Sequence, residues 1–205
     1  MAAAPRSHRR RGPAPGDDRL EFLRGFLHKP KQVGSIIPSS RFLERRIIRC
    51  AEVAQARTIV ELGPGTGGTT RALLRAMAPD ARLIAIEINP RFVRHIAGQV
   101  SDGRLSVLEG SASDVAEILA REGHEGTDVM LSGIPFSTMP RPLGLAILRS
   151  VRDALRPGGR FVAYQFRDRV EALGREVFGR PKIQTEIRNV PPMRVYTWER
   201  SDRSG

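Results

Sequence analysis

The apolar residues of this chain fall into short continuous runs that alternate with stretches of helical periodicity. The runs predict strands over residues 59–62, 82–87, 105–109, 128–132 and 160–165. The stretches that follow them predict helices over residues 71–77, 91–100, 113–121, 143–155 and 168–178. Two further runs, 182–190 and 194–199, are separated by two prolines and predict an antiparallel pair of strands. Strands that alternate with helices predict an α/β fold, here a mostly parallel seven-stranded sheet with helices on both faces.

The chain before the first predicted strand divides into a tail and two helical patterns. Residues 1–16 are rich in Ala, Pro and Arg without a period, which predicts a disordered basic tail. Residues 17–28 and 41–54 both place apolar side chains at helical spacing. We therefore expect N-terminal helices within residues 17–54, followed by the core domain over residues 55–200.

The first of these helical patterns has the composition of an interfacial helix. Phe22 and Phe26 supply aromatic side chains, while Arg24, Lys29 and Lys31 supply cations. Such a helix lies in the headgroup region of a membrane. A helix packed over the core is the alternative, and both hold if the helix is a mobile lid.

Three glycines at alternate positions follow the first predicted strand, and a helical pattern begins directly after them. This order lets the backbone approach a bulky cofactor closely. A P-loop is disfavoured, because no Lys-Ser/Thr pair follows the last glycine. The pattern E-x-G-x-G-x-G resembles the first motif of the class I S-adenosylmethionine-dependent methyltransferases. The resemblance implies that the amino-acid end of the cofactor is held by Glu61, Gly63, Pro64, Gly65, Thr66 and Gly67.

The ends of the next two strands carry residues suited to the nucleoside part of that cofactor. Glu87 ends the second strand, where a carboxylate can accept hydrogen bonds from a ribose diol, and Ile88 can pack on adenine. Ser111 and Ala112 follow the third strand. Many methyltransferases carry Asp in the position of Ser111, so here either Ser111 or Asp114 is expected to contact the adenine amino group.

The fourth strand ends in Ser132, which we assign to the cofactor, and in a loop that we assign to the substrate. Enzymes that methylate base amines carry an Asn or Asp acceptor there, followed by an aromatic residue that stacks on the flipped base. Gly133 stands in the acceptor's place, which argues against adenine as the substrate. Ile134 and Pro135 complete the loop, and Phe136 can face an alkylammonium group.

The chain of 205 residues is strongly basic, with a formal net charge of +12. A basic body favours a polyanionic partner, either nucleic acid or an anionic membrane, although a compositional bias towards Arg explains the charge equally well. Cys50 is the single cysteine, and the histidines are scattered, so the sequence suggests neither a disulfide nor a metal site. With no bilayer-length apolar run and no apolar secretory core, we expect a cytoplasmic protein, favoured as a monomer, on the inner face of the membrane.

Together, six segments resemble the bacterial phospholipid N-methyltransferases, which methylate phosphatidylethanolamine stepwise towards phosphatidylcholine. The segments are GSIIPSS, VELGPGTG, EINPRF, SGIPFSTMP, LRPGGRFVAYQF and RNVPPMRVY. The chain is also similar to ribosomal RNA adenine dimethylases and ornithine-lipid N-methyltransferases, which leaves an RNA adenine or another amino-lipid as alternative substrates. The resemblance implies a Rossmann-like fold with S-adenosylmethionine as cofactor and an N-terminal helix that binds the membrane and helps close the site.

Several residues are candidates for handling the lipid amine and phosphate. Tyr164, Tyr196 or a water molecule can accept the ammonium proton, and Phe136, Tyr164 and Phe166 can face a methylated amine. A lipid phosphate needs a cation, for which Arg188 beside Asn189 is the first candidate and Lys31 the second. Ser39 and Ser40 precede a helix and are expected at the site, with helix capping as the alternative.

Overall fold

The computed structural model describes residues 39–201. The predicted basic tail and the predicted interfacial residues Phe22, Arg24, Phe26, Lys29 and Lys31 lie outside the described residues. In the described part, no helix is long and apolar enough to cross a membrane.

Seven strands form one sheet in the order β3-β2-β1-β4-β5-β7-β6. Their bounds are Thr58–Leu62 (β1), Arg82–Glu87 (β2), Leu105–Glu109 (β3), Thr127–Ser132 (β4), Leu155–Gln165 (β5), Lys182–Glu186 (β6) and Met193–Glu199 (β7). Strands β1 to β5 are parallel, and β7 runs antiparallel to both β5 and β6. The predicted mostly parallel seven-stranded sheet is confirmed.

Within residues 39–201, six helices pack on the two faces of the sheet. They are Arg41–Ala51 (α1), Gly68–Ala76 (α2), Pro90–Gln99 (α3), Val115–Arg121 (α4), Arg141–Ala154 (α5) and Arg169–Phe178 (α6). One apolar cluster joins α1 and α2 to one face, and a second joins α4, α5 and α6 to the other. Successive strand residues point to opposite faces, so each strand contributes to both clusters.

The structure differs from the predicted elements at two boundaries that affect the site. Helix α1 ends at Ala51 rather than at residue 54, because Glu52 takes a left-handed conformation with φ of 51° and its N–H bonds back to the helix. Strand β6 ends at Glu186 rather than at residue 190, and the residues beyond it form a turn. That turn is held by the Asn189 side chain, whose Nδ2 donates to the Pro191 carbonyl at 2.9 Å.

The carboxyl ends of the parallel strands share one edge of the sheet. Leu62 of β1 pairs with Ser132 of β4, which in turn pairs with Ala163 of β5. Because β7 is antiparallel, its first residues lie at the same edge, where Arg194 pairs with Gln165. Ligands of open α/β sheets bind outside this edge.

Candidate active site

The turn after β1 depends on glycine at alternate positions. Gly63, Gly65 and Gly67 have φ of 69°, 57° and 78°, a region that L side chains rarely adopt. An ideal Cβ on Gly63 would lie 3.0 Å from Cγ1 of Ile134, whereas one on Gly65 would meet nothing within 4 Å. The turn is therefore closely packed against the loop after β4 and open at its tip, as a loop that cradles a ligand must be.

Glu61 is fully buried at the end of β1 and has one unsatisfied oxygen. Its Oε2 accepts a hydrogen bond from Thr70 Oγ1 at 2.6 Å, while Oε1 has no partner among the described residues. Burial raises the pKa of the Glu61 carboxyl to about 7; the Thr70 hydrogen bond opposes this shift, and the nearby Glu87 adds to it. A buried acceptor without a donor indicates a site for a cationic or hydrogen-bonding ligand group.

Glu87 links the end of β2 to the glycine turn. Its Oε2 accepts from Gly65 N at 3.1 Å, and its Oε1 accepts from Asn89 N at 2.9 Å. Burial raises the pKa of Glu87, and these backbone hydrogen bonds oppose the shift. Each carboxylate oxygen keeps a second lone pair, so both remain able to accept from a diol.

A cleft of about 310 Å³ opens beyond Glu87, between the ends of β2 and β3. It is lined by Ile88, Glu109, Gly110, Ser111, Asp114, Glu117, Ile118 and Arg121. The Ser111 hydroxyl caps the following turn by accepting from Ser113 N at 3.2 Å, and Ser113 Oγ donates to Asp114 at 2.8 Å. Both candidates for the adenine contact, Ser111 and Asp114, therefore line the same cleft, and Ala112 is buried beside it.

The loop after β4 approaches Tyr164 so closely that a side chain at Gly133 would force the neighbouring atoms to shift. An ideal Cβ on Gly133 would lie 2.7 Å from the Tyr164 Oη. That hydroxyl lies 3.3 Å from Thr69 Oγ1 on α2. Burial, and secondly the nearby Glu61 carboxylate, raise the pKa of the Tyr164 phenol. The phenol is therefore protonated at neutral pH, and its oxygen fills the place where an acceptor side chain would begin.

Two of the predicted catalytic side chains do not reach this site. Phe136 is fully buried in the apolar cluster that α5 and α6 form with the sheet. The expectation that Phe136 lines an open pocket is therefore wrong for this structure. Tyr196 pairs with Ala163, one position from Tyr164, and so packs on the opposite face of the sheet.

The predicted substrate residues near the chain ends have structural partners. Ser40 caps α1 by accepting from Leu43 N at 3.3 Å, and its own N–H donates to Asn189 Oδ1 at 2.9 Å. Ser39, just before it, is half-buried. Arg188 pairs with the buried Glu186 at 2.9 Å but remains exposed at the surface. The capping alternative thus accounts for Ser40, and Asn189 holds the turn onto α1.

Comparison with known proteins places this geometry in a family. The family described as "Methyltransferase domain" matches residues 59–159. The ornithine lipid N-methyltransferase of Singulisphaera acidiphila is 32% identical over 177 residues, covering 85% of this chain and 92% of that protein. The chain belongs to the class I S-adenosylmethionine-dependent methyltransferases.

Two further similar proteins are a longer methyltransferase and one that shares only the fold. The ribosomal RNA small subunit methyltransferase A of Leifsonia xyli is 30% identical over 180 residues, which cover 84% of this chain and only 60% of that protein. The N-methyltransferase NodS of Bradyrhizobium japonicum WM9, in complex with S-adenosyl-L-homocysteine, shares the fold with a TM-score of 0.62 at 13% identity. The alignment covers 85% of this chain and 97% of that chain.

S-adenosylmethionine is the cofactor of this methyltransferase, and the described residues fit it. The unpartnered Oε1 of Glu61 suits the ammonium of the amino-acid end, and the Glu87 carboxylate suits the ribose diol. The cleft beyond Glu87 is placed to hold adenine. The glycine turn joins these parts, with Pro64 and Thr66 completing its backbone between the three glycines.

Sequence reasoning missed three side chains that shape the site. Thr69 and Thr70 follow the glycines directly and bind Tyr164 and Glu61, respectively. Gln165 is buried at the end of β5, and its Nε2 donates to the carbonyl of Ile134. The pair of hydroxyls after the glycine motif was a usable signal for the threonines. The Gln165 contact depends on the pairing of β4 with β5, which no local pattern shows.

Proposed function

We propose that this methyltransferase transfers methyl groups to the amine of a membrane lipid, with phosphatidylethanolamine and its methylated intermediates as the first candidates. The observation that carries the proposal is the similarity to an ornithine lipid N-methyltransferase along 92% of that protein's length. Both lipids present a primary amine at the membrane surface. Their shared chemistry makes ornithine lipid the second candidate.

The acceptor side of the site supports an alkyl amine rather than a base. Gly133 removes the acceptor side chain that base-methylating enzymes use, and the Tyr164 phenol takes its place. When the phenol hydrogen is donated to Thr69, the phenol oxygen can accept an N–H from the amine. Because its pKa is raised, we infer that Tyr164 orients the amine as a neutral phenol and does not remove its proton as a phenolate.

Methyl transfer mainly requires that the protein orient the substrate amine and exclude water from the site. S-adenosylmethionine supplies an electrophilic methyl group when it is bound. The substrate ammonium must lose a proton to water before its nitrogen can attack, and the apolar lip formed by Ile134 and Pro135 favours the neutral amine. Gln165 holds that lip through the Ile134 carbonyl. Fixing the amine in line with the methyl group supplies much of the rate enhancement.

A second candidate function is methylation of an adenine amine in RNA. It is favoured by the net charge of +12 and by the similarity to ribosomal RNA methyltransferases. Gly133 argues against it, because the amine of a flipped base would lack its usual acceptor.

Labelled methyl transfer tests the proposal directly. Full-length protein is incubated with radiolabelled S-adenosylmethionine and either phosphatidylethanolamine vesicles, ornithine lipid vesicles or ribosomal RNA. Incorporation into lipid with none into RNA supports the proposal, and the two lipids separate its two candidates. Incorporation into RNA alone contradicts it.

A further inference from the structure

Three large apolar side chains are exposed near the site. Phe166 is 55% exposed, Ile187 75% and Val190 87%. Single exposed apolar residues are common, but a group at one edge of a domain indicates a surface that a partner covers. We call Phe166, Ile187 and Val190 the apolar edge.

Strand pairing brings these side chains to the same edge of the sheet. Phe166 directly follows Gln165, which pairs with Arg194 of β7. The turn of residues 187–192, which carries the other two side chains, leads directly into β7. Neighbouring strands lie about 4.8 Å apart, so Phe166 and the turn are close in space. Strand β4 ends at this edge as well, which puts the apolar edge beside the Gly133 loop.

The surroundings of the apolar edge are positively charged. The exposed arginines of this edge are Arg41, Arg167, Arg169, Arg188 and Arg194. The carboxylates there already have cationic partners: Glu186 binds Arg46 and Arg188 at 2.9 Å each, and Asp168 lies 3.8 Å from Arg194. Exposed apolar side chains surrounded by cationic ones are typical of a surface that binds the headgroup region of an anionic membrane.

The first described residues of the chain meet the domain at this same edge. Ser40 N donates to Asn189 Oδ1 at 2.9 Å, and the Arg188 guanidinium lies 4.2 Å from the centre of the Phe42 ring. The described part of the chain therefore begins beside the apolar edge.

We propose that the apolar edge inserts into the headgroup region of an anionic membrane and holds the Gly133 loop towards the lipid. The inference deepens the proposed function and rests on it for the role of the membrane, since it names the surface by which the enzyme reaches a lipid amine. Ile187 and Val190 enter the interface, while the surrounding arginines attract anionic headgroups. Nucleic acid fits this surface less well, because a phosphate backbone offers nothing to cover exposed aliphatic side chains.

Vesicle partitioning of the full-length protein tests the inference without catalysis. The variant Ile187→Asp/Val190→Asp places charges at the two exposed tips, and Ile183→Asp is the matched control. Ile183 is also exposed, at 43%, but lies inside β6 away from the edge. With vesicles of phosphatidylglycerol and phosphatidylcholine, we expect the double variant to partition about tenfold more weakly than the native protein. The control is expected to partition as the native protein does.

Three results would overturn the inference. The first is unchanged partitioning of the double variant, and the second is an equal loss of partitioning in Ile183→Asp. The third comes from a fluorophore on Val190→Cys in a Cys50→Ala background. We expect its emission to shift to the blue on addition of vesicles. A blue-shifted emission in their absence would mean that another part of the chain covers the edge.

Failure of the proposed function gives a different pattern. Neither lipid in these vesicles carries a free amine, so binding to them does not depend on methylation. Vesicle binding with no methyl transfer to any lipid contradicts the proposed function and leaves the apolar edge as a membrane contact. Methyl transfer to detergent-dispersed lipid with unchanged partitioning of the double variant contradicts only the apolar edge.

Discussion

The cofactor side and the acceptor side of this site are built by different means. On the cofactor side, a glycine turn and two buried carboxylates come from consecutive strand ends, within residues 61–87. On the acceptor side, Thr69, Gly133 and Tyr164 come from three separate elements and meet through side-chain contacts. The cofactor side is fixed by backbone conformation, whereas the acceptor side depends on the register of the sheet.

This difference explains why the cofactor is easier to identify than the substrate. Backbone conformations with positive φ restrict the sequence to glycine, so they leave a local motif. The acceptor side instead presents one hydroxyl, one buried amide and an apolar lip, and these suit several amines. We propose that contact between the apolar edge and a membrane adds to the selection of the substrate.

The largest expected effect is a loss of cofactor binding from a substitution on the cofactor side alone. Glu61→Ala removes the buried acceptor, and we expect the affinity for S-adenosylmethionine to fall about 10- to 160-fold, since hydrogen bonds to a charged group contribute roughly 1.5–3 kcal/mol. Isothermal calorimetry on the full-length protein measures it. A dissociation constant within a factor of about three of the native value would contradict the assignment, because it corresponds to less than 1 kcal/mol.

The next prediction concerns close packing on the acceptor side. Gly133→Ala forces a Cβ against the Tyr164 hydroxyl, and we expect the free energy of unfolding to fall by about 1–3 kcal/mol. The same substitution should cost less in a Tyr164→Phe background, because the oxygen at 2.7 Å is gone. Gly98→Ala, where a Cβ meets nothing within 4 Å, is the control. Chemical denaturation gives the free energy of unfolding of the two alanine variants, of Tyr164→Phe and of the combined Gly133→Ala/Tyr164→Phe variant. Equal losses of stability in Gly133→Ala and Gly98→Ala would contradict the close contact between Gly133 and Tyr164.

Substitution of Tyr164 and Tyr196 tests which face of the sheet carries the acceptor side. Tyr164→Phe should lower kcat about tenfold, in the range of one hydrogen bond, while leaving the affinity for S-adenosylmethionine unchanged. Tyr196→Phe should leave kcat unchanged, because Tyr196 lies on the opposite face. Steady-state kinetics with a lipid acceptor measures both. A larger loss in Tyr196→Phe than in Tyr164→Phe would reverse the assignment of the acceptor side.

The pH dependence of cofactor binding follows from Glu61. The cationic amino group of the cofactor prefers the carboxylate form, and the pKa of Glu61 is about 7. Affinity should therefore fall as the pH drops below 7, about tenfold for each pH unit well below the pKa. Calorimetry from pH 8 to pH 5.5 measures it, and a flat profile in the native protein would contradict the role of the carboxylate.

The same group has the opposite effect on the stability of the protein without cofactor. The folded pKa lies above the ordinary value of 4.5, so the folded state binds more protons between these values. Stability attributable to Glu61 should therefore decrease as the pH rises from about 4.5 to 7. Comparing the native protein with Glu61→Gln isolates this contribution.

The smallest expected effect is a loss of stability at the turn of residues 187–192, which carries part of the apolar edge. Asn189→Ala leaves Ser40 N and the Pro191 carbonyl without their partner, and we expect a loss of about 1–2 kcal/mol in the free energy of unfolding. Affinity for S-adenosylmethionine should not change. Thermal denaturation of this variant beside the native protein measures the effect, and equal stabilities of the two would mean that Asn189 does not hold the turn.

The sequence predicts the layered fold and the cofactor side because their signals are local. Alternating apolar patterns locate every strand, and the acids before and after the glycines are found from spacing alone. The meeting of Tyr164 with Gly133 could not be predicted, since it requires the register between β4 and β5. The burial of Phe136 depends in the same way on its packing against residues of α5 and α6. Tyr164 and Tyr196 looked equivalent until strand pairing placed them on opposite faces.

Lipid analysis of a host that lacks phosphatidylcholine shows whether this site methylates a lipid amine in cells. Cells expressing the full-length protein are compared with cells expressing Glu61→Ala, and their lipids are resolved by mass spectrometry. We predict new mono-, di- or trimethylated amino-lipids with the native protein and none with the variant. An unchanged lipid profile, with the native protein folded and bound to S-adenosylmethionine, would contradict the claim.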